Sequence, residues 1–399
     1  MRIALIADTF PPLRTSGAVQ LRDLSREFVR QGHALTVMLP TAGLTTPWLL
    51  EDFDGVQVLR LRAPKTKDIN YVRRTINEFL MPFAMLRNLR QSTLAKERWD
   101  GVVWYAPSIF HGPLAKALKS ASGCKGYLII RDIFPEWAAD MGLMGRGLPY
   151  KFFKAVANYQ YSVADVIGIQ SQGNLAYFAD RPNSRIEVLQ NWLGDAPNIG
   201  CSVNVSGGKL AGRIIFVYAG NMGVAQGMGV LLDLAERLRS RIDIGFLFVG
   251  RGRDASRLRT DADKRGLDNV AFHNEIDPNE ILGLYAQCHI GIVALDPRHK
   301  THNIPGKFLS YMQAGLPVLA SINPGNDLEG MILSEAVGRV CTKQSVENLQ
   351  RLALELVEEV APGSLVAGNA AQTDRCKALF ATLFSPAAAV RQIVAALKK

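Results

Sequence analysis

The chain has 399 residues, of which 48% are hydrophobic and 21% are charged, a composition that argues against a disordered or fibrous protein. This length is sufficient for two domains, each with its own core. No run of 18 apolar residues occurs and the first residues lack a signal-peptide cleavage site, so we expect neither a spanning helix nor a leader. The five scattered cysteines form no CxxC pair, which predicts a reducing, cytoplasmic location without disulfides or a zinc site.

The net charge of +10 is distributed unevenly along the chain. Segment 60–98 is rich in lysine and arginine, poor in acidic residues, and interleaved with aromatic and aliphatic side chains. Such a segment is typical of an element that lies on an anionic membrane surface. A solvated helical lobe packed on its own domain is the alternative. Nucleic acid is a third possibility, but no nucleic-acid-binding motif accompanies the charge, so we expect no nucleic-acid partner.

Apolar runs alternate with amphipathic helices from the first residue, which predicts parallel α/β architecture. In the first half, a helix is predicted after residue 17 and another at 150–163, and strands are predicted at 3–7, 34–39, 56–61, 102–105, 127–130, 166–170 and 186–189. In the second half, strands are predicted at 214–218, 244–249, 270–273, 290–295, 318–320 and 338–341.

Residues 192–212 interrupt this alternation with Gly, Pro, Asn and Ser, as expected of an interdomain linker. We therefore predict two Rossmann-like parallel-sheet domains, at 1–195 and 212–384, that face a central cleft. The last helix, 385–399, is predicted to pack back on the first domain. Ligands of such sheets bind at the carboxyl ends of the strands, so the candidate site residues are sought there.

The stretch 301–321 is the strongest candidate for a phosphate site. Pro305 and Gly306 are suited to open a helix that carries Lys307, and Gly315 is suited to end it. A helix N-terminus after a parallel strand presents backbone N–H groups and a positive dipole end, which favours an anion. The alternative is an ordinary βαβ connection with a solvated lysine.

Two glycine-containing loops of the second domain are candidates for the same site. Gly220–Gly223 follows the first strand of that domain, and Gln226 and Gly227 are predicted to open a helix. GRGRDA at 250–255 matches GxGxxA, but in the second βα unit rather than the first, so we predict a turn whose Arg251 or Arg253 faces a nucleotide rather than an NAD site. In the first domain, Gly17 precedes a helix, and either a simple turn or a close approach to phosphate or sugar explains it.

Further polar groups follow the strand at 127–130. RDIFPEW at 131–137 places Arg131 and Asp132 at the carboxyl edge of the sheet, where either a functional pair or a structural Arg–Asp pair is expected. His299 and His302 flank the polar loop at 296–303 without a third ligand, which favours a contact with substrate over a metal. Two DxD patterns, at 52–54 and 261–263, are interpreted as solvated surface, so no metal is predicted.

Taken together, the segments DTFPP…SGAVQLRDLSREFVRQGH, YAGNMGVAQG, FLFVGRG and AGLPVLAS resemble the retaining glycosyltransferases of family 4, which have the GT-B fold. RDIFPEWAADMGL, YQYSVADVIGIQS, NIPGKFLSYMQAGLPVLA and INPGNDL are similar to the branch that transfers aminosugars such as N-acetyl-L-fucosamine in O-antigen or capsule assembly. The resemblance implies transfer from a UDP-sugar, with retention, to a polyprenyl-diphosphate-linked glycan at the inner face of the bacterial plasma membrane. It implies no cofactor.

The chain departs from that family at several positions. Two glutamates common in the family correspond here to His302 and Ser310, and an arginine and a lysine near the diphosphate correspond to Asn221 and Gln226. Arg131 replaces a frequent histidine. Neutral amides do not replace two cations against a diphosphate, so Lys307 and helix N-termini, with Arg251 or Arg131, are expected to supply the positive field.

The residues implied by this comparison fall into two groups. Catalytic roles are expected for Asp132, Arg131 and His302, with Asp132 orienting the acceptor. Donor binding is expected at Gly17, Asn221, Gln226, Gly250, Arg251, Asn303, Ile304, Pro305, Gly306, Lys307 and Ser310.

Three other functions remain open from the sequence. A GT-B enzyme such as a UDP-N-acetylglucosamine 2-epimerase uses a UDP-sugar without a lipid-linked acceptor. A nucleotide-sugar-binding protein without catalysis is consistent with the missing glutamates. An NAD oxidoreductase is the least consistent, because the glycine pattern is in the wrong βα unit.

Overall fold

The chain forms two compact units, each built on one largely parallel sheet. Unit 1 comprises Met1–Gly194 and Pro386–Lys399, and unit 2 comprises Asp195–Ser385. The α/β class and the two parallel-sheet domains predicted from the sequence are confirmed. A computed structural model describes residues 1–13, 15–140, 142–179, 185–195, 199–223, 226–296, 304–343, 345–361 and 369–398.

The sheet of unit 1 has the strand order β3-β4-β2-β1-β5-β6-β7-β8, in which β3 runs antiparallel to β4 and the other pairs are parallel. Its strands are β1 (Arg2–Ile6), β2 (Ala34–Thr41), β3 (Trp48–Phe53), β4 (Val56–Arg62), β5 (Gly101–Ala106), β6 (Lys125–Ile130), β7 (Val166–Ile169) and β8 (Arg185–Val188). Its helices before the linker are α1 (Ser16–Arg30), α2 (Tyr71–Leu89), α3 (Gly112–Ser122), α4 (Glu136–Asp140) and α5 (Leu148–Val163), followed by a 3-10 helix, Gln172–Phe178.

The sheet of unit 2 is parallel throughout, with the order β11-β10-β9-β12-β13-β14. Its strands are β9 (Ile214–Ala219), β10 (Ile244–Val249), β11 (Val270–His273), β12 (Ile290–Ala294), β13 (Val318–Ser321) and β14 (Gly338–Cys341). Its helices are α6 (Gly229–Arg237), α7 (Ala255–Lys264), a 3-10 turn at Pro278–Glu280, α8 (Ile281–Tyr285), α9 (Gly306–Ala314), α10 (Asp327–Ser334), α11 (Val346–Val360), α12 (Asn369–Leu379) and a π-helical segment, Phe380–Phe384. The last helix of the chain, α13 (Pro386–Lys398), belongs to unit 1.

The parallel strands are continuous apolar runs, so both faces of each sheet must be buried, and helices cover both of them. In unit 1, side chains of α1 and α13 form one core with the sheet, and side chains of α2, α3 and α5 form the other. In unit 2, α6, α7 and α11 share a core with the sheet. On the opposite face, α9 lies so close to β12 that a Cβ at Gly291 would be 2.5 Å from the Tyr311 ring.

The structure differs from the sequence prediction at three points. Strand β3 was not predicted, because its side chains alternate poorly and are mostly half-buried at the sheet edge. The first DxD pattern therefore lies at the end of a strand rather than wholly in a turn, with Asp54 at φ 53°. Helix α6 begins at Gly229, so the prediction that Gln226 and Gly227 open it is wrong.

The second DxD pattern lies on α7, where the Arg265 guanidinium group donates two hydrogen bonds to the Asp261 carboxylate.

The C-terminal helical stretch Ala370–Lys398 is long and apolar enough to cross a membrane by length and composition alone. Of its apolar part, 39% is buried within the protein. The α13 part supplies core side chains to unit 1: Val390 and Ile393 have no exposed surface, and Gln392 donates hydrogen bonds to Glu187 and to the Val188 carbonyl. We interpret α13 as a core helix of unit 1.

We expect Ile393→Ala to destabilise unit 1, because truncating a fully buried isoleucine costs roughly 2–5 kcal/mol. All five tryptophans of the chain, residues 48, 99, 104, 137 and 192, lie in unit 1, so tryptophan fluorescence during urea unfolding reports this unit. The midpoint should fall in Ile393→Ala and stay unchanged in Leu383→Ala, whose side chain is 37% exposed in unit 2. An unchanged midpoint in Ile393→Ala would show that α13 does not stabilise unit 1.

Candidate functional site

In unit 2, most of the predicted donor residues lie at the carboxyl edge of the sheet. The loops that follow β9 and β10 carry Asn221 and Arg251, and the loop between β12 and β13 leads into α9. These strands are neighbours in the order β10-β9-β12-β13. The parallel topology therefore brings segments that are up to 86 positions apart to one edge.

The loops after β9 and β10 pass unusually close to each other. Gly250 has φ 143°, and a Cβ there would lie 2.0 Å from the Gly220 carbonyl oxygen. Gly252 has φ 151°, and its Cβ would lie 2.3 Å from the carbonyl oxygen of Met222. Only glycine combines this backbone conformation with this approach. The GxGxxA pattern thus serves loop packing within unit 2, whatever it binds.

Asn221 and Gln226 are joined to each other. The Asn221 side-chain amide donates to Gln226 Oε1 at 3.3 Å, and the backbone N–H of Gly223 donates to the same oxygen at 3.0 Å. Their neutral side chains fix the loop without adding charge. Arg251 is 79% exposed and pairs with Glu275 at 3.2 Å, so its charge is already partly compensated.

Lys307 lies in the first turn of α9. As the sequence predicts, this helix runs from Gly306 to Ala314 after Pro305 and ends at Gly315, which has φ 78°. Tyr311 anchors the helix, because its hydroxyl donates to the backbone carbonyls of Val217 and Ile292 at 3.0 and 3.2 Å. The side chain of Lys307 is therefore held on a rigid element of the sheet edge.

The Lys307 ammonium group lies over the ring of Tyr218, with Nζ 4.6 Å from the ring centroid. Its Cε would be 3.8 Å from a Cβ at Gly220, so the side chain reaches the loop after β9. Within the described part of the chain, no carboxylate pairs with it. Lys307 is half-buried, and desolvation by the surrounding protein lowers its pKa to about 8. A cation held over an aromatic face without a counter-ion is prepared for an anionic ligand.

The remaining donor candidates around α9 are arranged as follows. Ile304 is buried, Pro305 is half-buried and precedes the helix, and Gly306 is exposed. Ser310 is half-buried and its hydroxyl donates to the Gly306 carbonyl at 3.4 Å. His302 and Asn303, together with His299, lie outside the described residues.

In unit 1, Arg131 and Asp132 follow β6 at the carboxyl edge, and the structure forms no ion pair between them within 4 Å. Arg131 is half-buried, and its Nη1 has no hydrogen-bond partner among the described residues. Burial lowers the pKa of Arg131, and Tyr105 and Asp132 oppose this shift. Asp132 is exposed at its surface, while desolvation by the surrounding protein raises the pKa of its carboxyl group against the effect of Arg131. No direct ion pair therefore joins the two side chains, although each charge shifts the pKa of the other.

The structure adds residues to this edge that the sequence analysis missed. They follow the neighbouring strands β5, β7 and β8, and each has a buried side-chain atom without a hydrogen-bond partner in the described part of the chain: His111, Gln170, Ser171 and Asn191. Gln160 of α5, whose Nε2 donates to the Ser108 carbonyl, also leaves Oε1 unpaired. Buried polar atoms are normally paired, so this set is available for hydrogen bonds to ordered water or to a ligand.

His111 is the least satisfied of these groups. It is fully buried directly before α3, and neither ring nitrogen has a partner among the described residues. Burial lowers the pKa of His111, while Asp8 opposes this effect. The sequence signal was a single histidine before Gly-Pro after a buried strand, which is too weak to distinguish it from a core histidine.

Gly17 lies in the first turn of α1. A Cβ at this position would approach Thr9 Cγ2 at 3.2 Å and the Tyr105 hydroxyl at 3.4 Å. The Tyr105 hydroxyl donates to Gln20 of the same helix at 3.2 Å, and burial raises the pKa of Tyr105 to about 12. Gly17 thus permits close packing of α1 on β5.

A cavity of about 460 Å³ lies elsewhere in unit 2, against the edge strand β11 and helix α7. Its lining includes Lys209, Arg259 and His273. It contains none of the predicted donor residues, so it is not part of the candidate site.

The sequence is similar to those of known glycosyltransferases. Residues 213–359, within unit 2, match the family described as Glycosyl transferases group 1. The chain is 24% identical over 344 residues to the "Probable glycosyltransferase WbjE" of Pseudomonas aeruginosa, with 82% of each chain covered. It is 25% identical over 226 residues to the "Putative colanic acid biosynthesis glycosyl transferase WcaI" of Escherichia coli K12, covering 49% of this chain and 52% of that protein.

Solved structures resemble the whole chain. The crystal structure of Anabaena Alr3699/HepE in complex with UDP superposes with a TM-score of 0.64 and 14% identity, and all of both chains is covered. At this identity the similarity establishes the fold alone. The chain has the GT-B fold.

We expect Lys307→Met to stabilise the protein near neutral pH. The folded pKa of about 8 lies below the ordinary value of 10.5, so the unfolded chain binds more protons between these values. The free energy of unfolding of the wild type should therefore rise with pH through this window. Below pH 8, Lys307→Met should gain about 1–3 kcal/mol, and the gain should vanish towards pH 10.5.

Urea unfolding followed by circular dichroism from pH 7 to 10 measures this difference. Lys264→Met is the matched control, because Lys264 is exposed on α7. An equal effect of both substitutions, or a gain that does not depend on pH, would contradict the burial of the Lys307 charge.

Proposed function

We propose that the protein is a retaining glycosyltransferase that transfers an aminosugar from a UDP-sugar to a polyprenyl-diphosphate-linked glycan. N-acetyl-L-fucosamine is our first candidate for the sugar, and lipopolysaccharide O-antigen or capsule biosynthesis is the proposed process. We place the enzyme in the bacterial cytoplasm, peripheral on the inner face of the plasma membrane. The match of unit 2 to Glycosyl transferases group 1 and the names of WbjE and WcaI support this proposal.

One observation carries the proposal: the uncompensated cation of Lys307 at the N-terminus of α9. Departure of UDP places negative charge on the diphosphate, and a preorganised cation that needs no rearrangement stabilises this charge. The helix N-terminus adds to the same field. We propose that Lys307 acts here in place of a divalent metal, so no metal or other cofactor is required.

The acceptor is proposed to bind the edge of unit 1. Sugar hydroxyls both donate and accept hydrogen bonds, and they match the mixed set of unpaired atoms on Arg131, His111, Gln170 and Asn191. Asp132, exposed beside this set, is suited to orient the attacking hydroxyl. In a retaining transfer, the phosphate oxygen of the leaving UDP takes the acceptor proton, so no protein nucleophile is needed. His302 remains a proposed contact to the transferred sugar.

Calorimetric titration with UDP tests the donor site. We expect the full-length protein to bind UDP in preference to GDP and NAD. Lys307→Met should weaken UDP binding roughly 10- to 100-fold, since hydrogen bonds to charged groups contribute about 1.5–3 kcal/mol, while Lys264→Met should bind like the wild type. The urea unfolding of Lys307→Met described above tests whether any loss of affinity results from unfolding. Unchanged UDP affinity in this variant would exclude Lys307 from the site.

Asp132→Asn tests the acceptor side. With UDP-N-acetyl-L-fucosamine and a lipid-linked acceptor, we expect turnover to fall roughly 100-fold, within the range for a positioned carboxylate, and UDP affinity to remain unchanged. Asp140→Asn, at an exposed aspartate that pairs with Arg146, is the control. Selective UDP binding without transfer to any acceptor would favour the non-catalytic alternative. Conversion of the UDP-sugar without an acceptor would favour the epimerase.

A further inference from the structure

A chain of aromatic contacts crosses three elements of unit 1. Successive ring centroids are 5.2 to 6.4 Å apart. The rings come from α2, from α5 and from the loop and short helix that follow β6. We call this set the aromatic ridge, in order of contact Phe83, Phe79, Phe152, Phe153, Phe134 and Trp137. Four of its members are 42–49% exposed: Phe79, Phe83, Trp137 and Phe152.

Further apolar side chains extend the ridge into solvent. The N-terminal half of α2, before Met81, contributes no buried residue. It exposes instead Tyr71, Val72, Ile76 and Leu80, and the start of α5 exposes Leu148 at 82%. An amphipathic helix of a soluble protein normally directs such residues to the core. A continuous exposed surface of this kind indicates an interaction site.

Basic side chains border the same surface. Five exposed cations in or beside α2 and α5 have no ion pair in the part of the chain that the structure describes: Lys65, Lys67, Arg73, Arg87 and Lys151. The nearby acidic residues are Glu78, which is paired with Arg74 at 2.8 Å, and Asp68, which is exposed. The surface is therefore apolar with a margin that carries more positive than negative charge, which is complementary to a negatively charged interface.

We propose that the aromatic ridge and its basic margin bind the surface of an anionic lipid bilayer. Aromatic rings and exposed aliphatic side chains suit the region between headgroups and acyl chains, and the cations suit anionic headgroups. The aliphatic side chains that extend the ridge, Val72, Ile76 and Leu80, offer no hydrogen bond or charge to a nucleic acid. This assignment differs from the sequence prediction for 60–98, because α5 and Trp137 take part, and residues 60–62 belong to β4.

One end of the aromatic ridge lies next to the proposed acceptor site in the sequence. Phe134 and Trp137 belong to the loop and short helix that follow Arg131 and Asp132. A bilayer held on the ridge would lie next to the edge proposed for the acceptor, so a glycan carried by a membrane lipid would reach Asp132 without leaving the membrane. This consequence rests on the proposed function, whereas binding of the bilayer does not.

Flotation of the full-length protein with vesicles tests the proposal. We expect binding to phosphatidylcholine vesicles that contain 30% phosphatidylglycerol, little binding to pure phosphatidylcholine, and weaker binding at high salt. The double variant Phe79→Ser/Phe83→Ser should lose binding. Lys67→Gln/Arg73→Gln should weaken it on the order of fivefold per residue, from the contribution of one cation near an anionic surface.

Trp137 provides a second readout. Trp99, Trp104 and Trp192 are at most 4% exposed, while Trp137 is 44% exposed in the ridge. Anionic vesicles should shift the tryptophan emission to shorter wavelength, and Trp137→Phe should abolish this shift. The matched control is Ile242→Ser/Leu333→Ser, which removes two side chains of unit 2 that are 82% and 59% exposed. It should bind vesicles like the wild type.

Several outcomes would overturn the proposal. They are failure to bind anionic vesicles, ridge variants that bind like the wild type, and ridge variants whose only defect is loss of self-association. Tryptophan fluorescence during urea unfolding, which reports unit 1, should show that the ridge variants are folded, and their UDP affinity should be unchanged. Vesicle binding without UDP binding would support this inference and contradict the proposed function. UDP binding without vesicle binding would contradict this inference and leave the proposed donor site intact.

Discussion

The positive charge of Lys307 constrains the organisation of unit 2. Lys307 is half-buried, and a desolvated ammonium group that has no carboxylate partner among the described residues lowers the stability of the fold. Three features hold the surroundings of this group in place: Tyr218 lies beneath the charge, Tyr311 ties α9 to the backbones of β9 and β12, and the glycine contacts lock the loops after β9 and β10 together. A ligand with negative charge that binds beside Lys307 would offset this loss of folding free energy.

Unit 1 shows the complementary situation. Its carboxyl edge collects neutral polar atoms that lack partners, with one half-buried guanidinium group and one exposed carboxylate. Such a set can exchange hydrogen bonds with a polyhydroxylated molecule, whereas a nucleotide diphosphate calls for positive charge. We therefore propose different ligands for the two units although both are α/β layers, because the fold determines where the loops lie and the side chains determine what they bind.

Much of the fold was predictable because parallel strands buried on both faces are continuous apolar runs. Helix α9 was predictable for a local reason, since Pro305 and Gly315 mark its ends. Strand β3 was missed because an edge strand carries no such signal. The contact of Lys307 with Tyr218 joins residues 89 positions apart, and the unpaired atoms of His111 and Asn191 are unpaired only because of tertiary packing. No local pattern contains that information.

Unit 1 is built from two separate segments of the chain, and this affects how the protein folds during synthesis. Unit 2 is one uninterrupted segment, whereas unit 1 needs α13, which follows unit 2 in the chain. Until residues 386–398 leave the ribosome, the apolar side chains of α1 and the sheet that contact Val390 and Ile393 lack their cover. Most of unit 1 precedes unit 2 in the chain and α13 follows it, so the incomplete core of unit 1 is exposed to aggregation while unit 2 is translated. A chaperone that recognises apolar surface would act on unit 1 in this interval.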